Sequence, residues 1–391
     1  MNSKSGIGGH GPALRARSPL LPRQALAVAV ALLSARVPPP ASAASQQAVE
    51  LDRSASCETC SVVLEKLLTI GDSHGRGAFH TPPDPPTRDS RGRYYVVSRL
   101  TRGETAAVFD SYGRFLTRIG AVGEGPGEYR NPVHDLIGPS DTVYMLDRGN
   151  ARATVLSPEH ELVRTFSIPP SVWDAALVSN DLYLNAQYFG ADLIGKPLHQ
   201  YSPDGRRLRS FDEHLVRLDD ISRYTRQLAP STKGVWSALH THEYELTLWD
   251  HSGAPQQRLR STSGWFASDE HLTSPSPSVP PSSLIRNLYE DEEGRLWVFG
   301  QVAADSWSEG LGERRDAEGT EFYPVESEHS LYDGVIDVID PAAGRIVVSA
   351  KIPFVVAGVV SPGVVASVRQ DELGWFYLDL YSVTLMTRTD G

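Results

Sequence analysis

Cysteine is nearly absent from this chain, with Cys57 and Cys60 the only two among 391 residues. A zinc site needs about four ligands, and no second cysteine pair is present to complete one. Haem attachment needs histidine after the second cysteine, where Ser61 stands. A thioredoxin-like redox site needs a βαβ setting that the chain does not offer. A local disulfide in an oxidising compartment is the reading left. Lipidation at Cys57 is the alternative, and Ser54-Ala55-Ser56 before it lacks the expected apolar residue.

Long apolar runs are scarce too. Beyond residue 43 no run is long and uncharged enough to cross a membrane, and Ala25–Leu33 has only nine residues where a spanning helix needs about 20. Those nine follow Arg15, Arg17 and Arg23 and precede Ala41-Ser42-Ala43, the order of a cleavable secretory signal. A disordered Ala/Pro-rich tail is the plainer alternative. Cleavage near Ala43 would leave an N-terminal segment, 44–61, and a soluble body, 62–391, in the periplasm, envelope or medium. Positive charge is in short supply as well. The first 43 residues hold five bases (Lys4, Arg15, Arg17, Arg23, Arg36) and no acid, so their removal takes the net charge from −11 to −16. A surface that negative repels nucleic acid and anionic lipid.

What the sequence does have is repetition. One signature is a polar turn followed by a strand with an early aromatic. It recurs at Asp89–Gly92, Ser140-Asp141, Ser179–Asp181, Ser231–Gly234, Asp291–Gly294 and Asp371–Gly374, with Tyr95, Tyr144, Tyr183, Trp236, Trp297 and Tyr377 after them. Aromatics are 8% of the chain, so six at equivalent places are not background. The second signature is a strand, an Asp/Ser turn and a strand, around Asp110–Gly113, Ser157–His160, Ser202–Gly205, Asp250–Gly253 and Asp340–Gly344. Asp and Ser close such turns through their side chains, and Gly accepts the positive φ that hairpins demand. The spacing does not fit a calcium loop.

Paired, the signatures give four-stranded antiparallel units of roughly 40–50 residues, the period of a propeller blade. The fold expected is all-β, a six-bladed propeller. Its last blade is one strand short, and Val62–Ile70 supplies the missing strand from the N-terminal side; a short amphipathic helix there is the alternative. Insertions at 261–283 and 301–330 break the period.

Residues 108–129 (VFDSYGRFLTRIGAVGEGPGEY), 142–166 (TVYMLDRGNARATVLSPEHELVRTF) and 199–211 (HQYSPDGRRLRSF) carry a family likeness. Over roughly 60–391 the chain resembles the bacterial exported six-bladed β-propellers, relatives of the NHL-repeat and TolB-like propellers. That resemblance implies the fold strongly and function weakly, since propellers host unrelated functions.

Second-to-third-strand loops and blade-to-blade crossings are the long ones, and they share one face, where function concentrates. Gly123-Glu-Gly-Pro-Gly-Glu-Tyr129 lacks the ending of a phosphate loop, and Glu124 and Glu128 would repel phosphate; it reads as a hinge packed by Tyr129. Asp147-Arg148-Gly-Asn150 reads first as an ion pair between blades. Arg99, Arg102, Arg130 and Arg148 are candidates to line a pocket for a carboxylate or sugar acid, with Glu128, Asp147 and Asn150 beside them. Trp307 and Tyr323, in the second insertion, suit stacking on a sugar or gripping a peptide. His240-Thr-His242-Glu243 has the spacing for two imidazoles on one side of a strand, with His134, Asp135 or Glu243 as a third metal ligand; exposed residues at a strand end are the simpler reading. His160-Glu161 is followed by Arg164, where H-E-x-x-H needs histidine.

The function expected is an exported binding module for a protein, peptide or glycan, working through its long-loop face. No cofactor is expected, a divalent metal remaining possible. The competing reading is a metal-assisted lyase or hydrolase, with calcium-dependent lactonase-type propellers a weaker form of it. The third is a structural subunit of an envelope assembly.

Overall fold

A computed structural model describes residues 47–52, 57–97, 105–188, 193–213, 221–262, 264–267, 275–315, 320–324 and 331–387. Six four-stranded antiparallel sheets form the blades of a propeller. The innermost strands are Thr87–Arg88, Pro132–Ile137, Val172–Val178, Arg226–Ser231, Leu284–Glu290 and Gly358–Ser361. Each touches the next, and the sixth touches the first. The core lies between blades as six apolar clusters, one per neighbouring pair. Both faces of every sheet are therefore buried, which is why the strands read as apolar runs rather than as alternating patterns.

The turn-and-aromatic signature has a bonding reason. Asp89 accepts the backbone N–H of Arg93 at 2.8 Å, its Nε at 2.6 Å and the Tyr95 hydroxyl at 3.0 Å. Asp291 repeats the set with Arg295 and the Trp297 Nε1–H, at 2.8, 2.8 and 2.9 Å. Asp371 takes the Trp375 N–H at 2.9 Å and the Tyr377 hydroxyl at 3.0 Å. An aromatic six residues after a turn Asp thus packs in the core while its polar tip satisfies the turn.

Closure is as the repeat count demands. Cys60–Ile70 is the outer strand of blade six and pairs antiparallel with Phe376–Thr387, from Cys60↔Thr387 to Ile70↔Leu378. Two details depart from the sequence expectation. Phe376–Thr387 is one continuous strand, so Asp371–Gly374 joins the second and third strands of its blade, not the first and second. Val364–Gln370 fills the second place and Gly358–Ser361 the innermost. Blade four has a fifth strand, because Val49–Glu50 pairs in parallel with its outer strand Pro255–Arg260. From there the chain bridges to blade five through Asp52↔Arg345 and the Cys57 N–H to the Val347 carbonyl. The Cys57–Cys60 disulfide forms at the corner where this belt turns into blade six.

A chain beginning at residue 71 leaves one edge of Phe376–Thr387 unpaired and opens the apolar clusters on either side of blade six. Calorimetry is expected to show loss of the single cooperative melt. An unchanged transition would contradict closure as the restraint on the ring.

Candidate ligand-binding channel

The innermost strands enclose a central channel holding a cavity of about 590 Å³, within the usual range for small-molecule sites. Its wall is stitched by a succession of bonds from a side chain of one blade to the next blade. The Thr87 hydroxyl in blade one donates to the Asp135 carboxylate in blade two. His134 Nε2 donates to the Trp173 carbonyl in blade three at 3.1 Å. Asp174 Oδ2 accepts the Leu228 N–H of blade four at 2.6 Å. His240 Nδ1 donates to the Ile285 carbonyl of blade five at 2.6 Å, and Asn287 Nδ2 to the Val356 carbonyl, before blade six, at 3.2 Å. Between blades six and one the junction is steric, since a Cβ on Gly358 would lie 2.2 Å from Pro85 Cγ.

Bulges aim side chains into this wall. Pairing skips Val133 in blade two, Trp173 in blade three and Arg286 in blade five. All three lie near the start of their innermost strands, the end that the topology assigns to the long-loop face. His240 follows the second strand of blade four, Gly234–Leu239, at that same end. A bulge leaves one residue unpaired and re-aims it, a device frequent beside active sites.

Three groups set the electrostatics. Asp135 is buried, and desolvation, opposed by the Thr87 hydrogen bond and reinforced by the charge of Asp84, pushes its carboxyl up to about 7. His240 is pulled down to about 4 by burial and by the nearby Arg286 guanidinium, so its imidazole is neutral at physiological pH. Trp173 holds a buried indole N–H that has no hydrogen-bond partner, and the Arg148 guanidinium sits 5.4 Å above its ring.

Of the residues singled out in the sequence, His134, Asp135 and His240 line the channel, and Arg148 reaches it through Trp173. Arg99 and Arg102 lie outside the described residues. Asp147 is fully buried and accepts the backbone N–H groups of Arg130, Asn131, Gly149 and Asn150. Its bonds are to backbone within its own blade rather than an ion pair between blades. Glu128 Oε2 accepts the Gly125 N–H, and Arg130 pairs with Glu124 at 2.8 Å. Asn150 and Arg152 donate to carbonyls of the glycine-rich loop. That loop is a braced hinge with Tyr129 buried beneath it. Trp307 lies in a short 3₁₀ turn, and Tyr323 in a hairpin, Leu311–Arg315 with Thr320–Pro324, where its ring covers Gly312.

His240 and His242 do not share a strand face. The strand ends at Leu239, and His242 has φ 70° and bonds the Ser222 hydroxyl at 2.8 Å. Glu243 turns to Arg260 at 3.6 Å. Among the described residues no group of three or more His, Cys, Asp or Glu is placed to hold a metal ion. Gly71-Asp-Ser73-His-Gly75 fits the Gly-x-Ser-x-Gly pattern of serine hydrolases, and Ser73 Oγ lies 2.9 Å from His74 Nδ1. The nucleophile elbow requires a strand running into a helix, and no α-helix occurs among the described residues.

Trp173, Asp174, Arg286 and Asn287 carry no motif, and the bulges that expose Trp173 and Arg286 leave no mark in the sequence. Only their positions, some four residues or more before a turn that ends an innermost strand, point toward the channel.

A family model described as a 6-bladed beta-propeller matches residues 87–185. No curated protein matches the chain. Among solved structures, a member of the duf4221 family from Bacteroides vulgatus is 11% identical, covering 84% of this chain and 99% of its own, with a TM-score of 0.54. A Bacteroides fragilis protein inferred to be exported is 10% identical, covering 87% and 99%, at 0.53. Virginiamycin B lyase from Staphylococcus aureus, also 10% identical, covers 82% and 99% at 0.45. At these identities the likeness is one of fold: this chain is a six-bladed β-propeller.

The pH dependence of stability has a definite sign. A carboxyl whose folded pKa is raised stabilises the fold below its ordinary value, 3.8, and that contribution is lost as pH rises toward about 7. Asp135→Asn keeps a neutral acceptor for Thr87. Its melting temperature is expected to rise relative to the parent across that window and to exceed it clearly at pH 8. Parallel curves from pH 4 to pH 8 would show that Asp135 is ionised throughout.

Proposed function

We propose that this protein is an exported propeller that binds a small organic ligand at the long-loop end of its channel. The observation that carries the reading is the cavity of about 590 Å³. At its mouth Trp173 and Arg148 form a stacked pair, and Arg286 and His240 converge from neighbouring blades. Apolar walls with a few placed polar groups are the usual composition of such sites. Export is supported by the signal-like order of residues 1–43, by the disulfide and by a structural relative inferred to be exported. No helix of the described residues is long and apolar enough to cross a membrane. A catalytic reading would rest on Asp135, a channel carboxyl held near neutrality, beside Asp84. The metal-assisted version draws no support from a ligand cluster among the described residues.

The test is a chemically diverse small-molecule screen by thermal shift on residues 44–391, repeated with Trp173→Ala. Compounds that raise the melting temperature of the parent but not of the variant are expected. A screen with no stabilising compound, or shifts that persist in the variant, would move the function off the channel, to the outer loops or to a protein partner.

A further inference from the structure

Polarity along the channel wall changes at one level. In blade two the innermost strand presents His134 and Asp135, then Leu136 and Ile137; in blade three it presents Trp173 and Asp174, then Ala176 and Leu177. Blade four passes from Gln227 to Leu228 and Pro230, and blade five from Arg286 and Asn287 to Leu288. These strands start at the long-loop end, so the cavity has a polar tier there and an apolar tier below it. Leu136, Leu177 and, in blade six, Val359 are half-buried, and the open side of an innermost strand is the channel. Glu290, at the foot of the blade-five strand, accepts the Trp236 Nε1–H of blade four at 2.6 Å.

The charged groups of the polar tier are committed to the wall. Asp135 accepts from Thr87, and Asp174 from the Leu228 N–H at 2.6 Å; Asp84 and Arg286 are engaged as well. A charged head would have to draw one of these groups from its bond or lie buried without a counter-ion. The amides are different. Asn287 donates through Nδ2 to the Val356 carbonyl at 3.2 Å, which leaves its oxygen as an acceptor. The Gln227 amide has one long contact, 3.4 Å to His240 Nδ1, and an amide offers both donors and an acceptor. Building on the channel reading, we propose that the ligand is an amphiphile with an uncharged amide head, hydrogen-bonded by Gln227 and Asn287, and an aliphatic chain in the apolar tier. That tier runs for about three residues of strand, roughly 10 Å, which suits a linear chain of that length. A sugar filling the same space would set hydroxyls without partners against Leu136 and Leu177.

NMR titration of residues 44–391 with butanamide, hexanamide and octanamide, against sodium hexanoate and hexylammonium chloride, tests this. Affinity is expected to rise about 2- to 4-fold per added methylene, and hexanamide to bind more tightly than either ion of equal chain length. Leu177→Asn or Val359→Thr, which put polar atoms into the lower tier, should weaken hexanamide about 3- to 10-fold and flatten the chain-length series. Gln227→Leu should weaken all three amides alike, by about 2- to 10-fold. A flat series on the parent protein, or a slope that both lower-tier variants leave intact, would overturn the assignment. So would hexanoate or hexylammonium binding as tightly as hexanamide. If the amides fail while other compounds bind in a Trp173-dependent way, the ligand class is wrong and the channel stands. If nothing binds, both fall.

Discussion

The ring depends on one pairing, that of Cys60–Ile70 with Phe376–Thr387. Each sheet buries both faces against its neighbours, so an open ring would expose two apolar faces at once. Hydrogen bonds between residues more than 300 positions apart prevent that: Thr69 donates to Asp379 at 2.7 Å, and Lys66 pairs with the same carboxylate at 2.9 Å. Asp379 is buried and also meets Arg369 at 3.0 Å, so the closing strand is held by charge as well as by its ladder. Residues 49–52 and Cys57 extend this restraint along the outer edges of blades four and five, pairing with strand edges that would otherwise be open. Closure over such a sequence distance makes folding slow relative to local β-hairpins.

The channel follows from the closed ring. Its polar side chains are not spare groups awaiting a ligand, since most already hold one blade to the next. A side-chain bond to a neighbour's backbone satisfies an inner-strand edge that has no further strand to pair with. This double use fixes orientation. His240 is held by its structural bond in the tautomer that leaves one nitrogen facing other partners, and Asp135 is held by Thr87 where burial keeps its proton near neutral pH. Rigid first contacts of this kind are what a binding site needs.

Most of the architecture was legible in the sequence because it is local. Asp89, Asp291 and Asp371 each specify a turn through bonds to residues four and six positions on, and the aromatic at the sixth position advertises a buried strand. The glycine-rich loop was legible as a hinge for the same reason, although the bracing by Arg152 was not. The phase of blade six was not legible. Asp371–Gly374 has the same turn chemistry as the first turns of other blades, and turn chemistry does not say which pair of strands it joins. The histidine pair misled because alternation presumes an extended strand, and the strand ends before His240.

The sequence by itself determined the blades, their number, their turns and the strand that closes them, since each is set by residues within a few positions or by a count of repeats. The tertiary structure alone decided which side chains meet across the channel. Thr87 with Asp135, His134 with Trp173 and His240 with Ile285 come from different blades, separated by roughly one repeat. Their meeting depends on bulges and inter-blade register, which are settled only when the six sheets pack around a common axis.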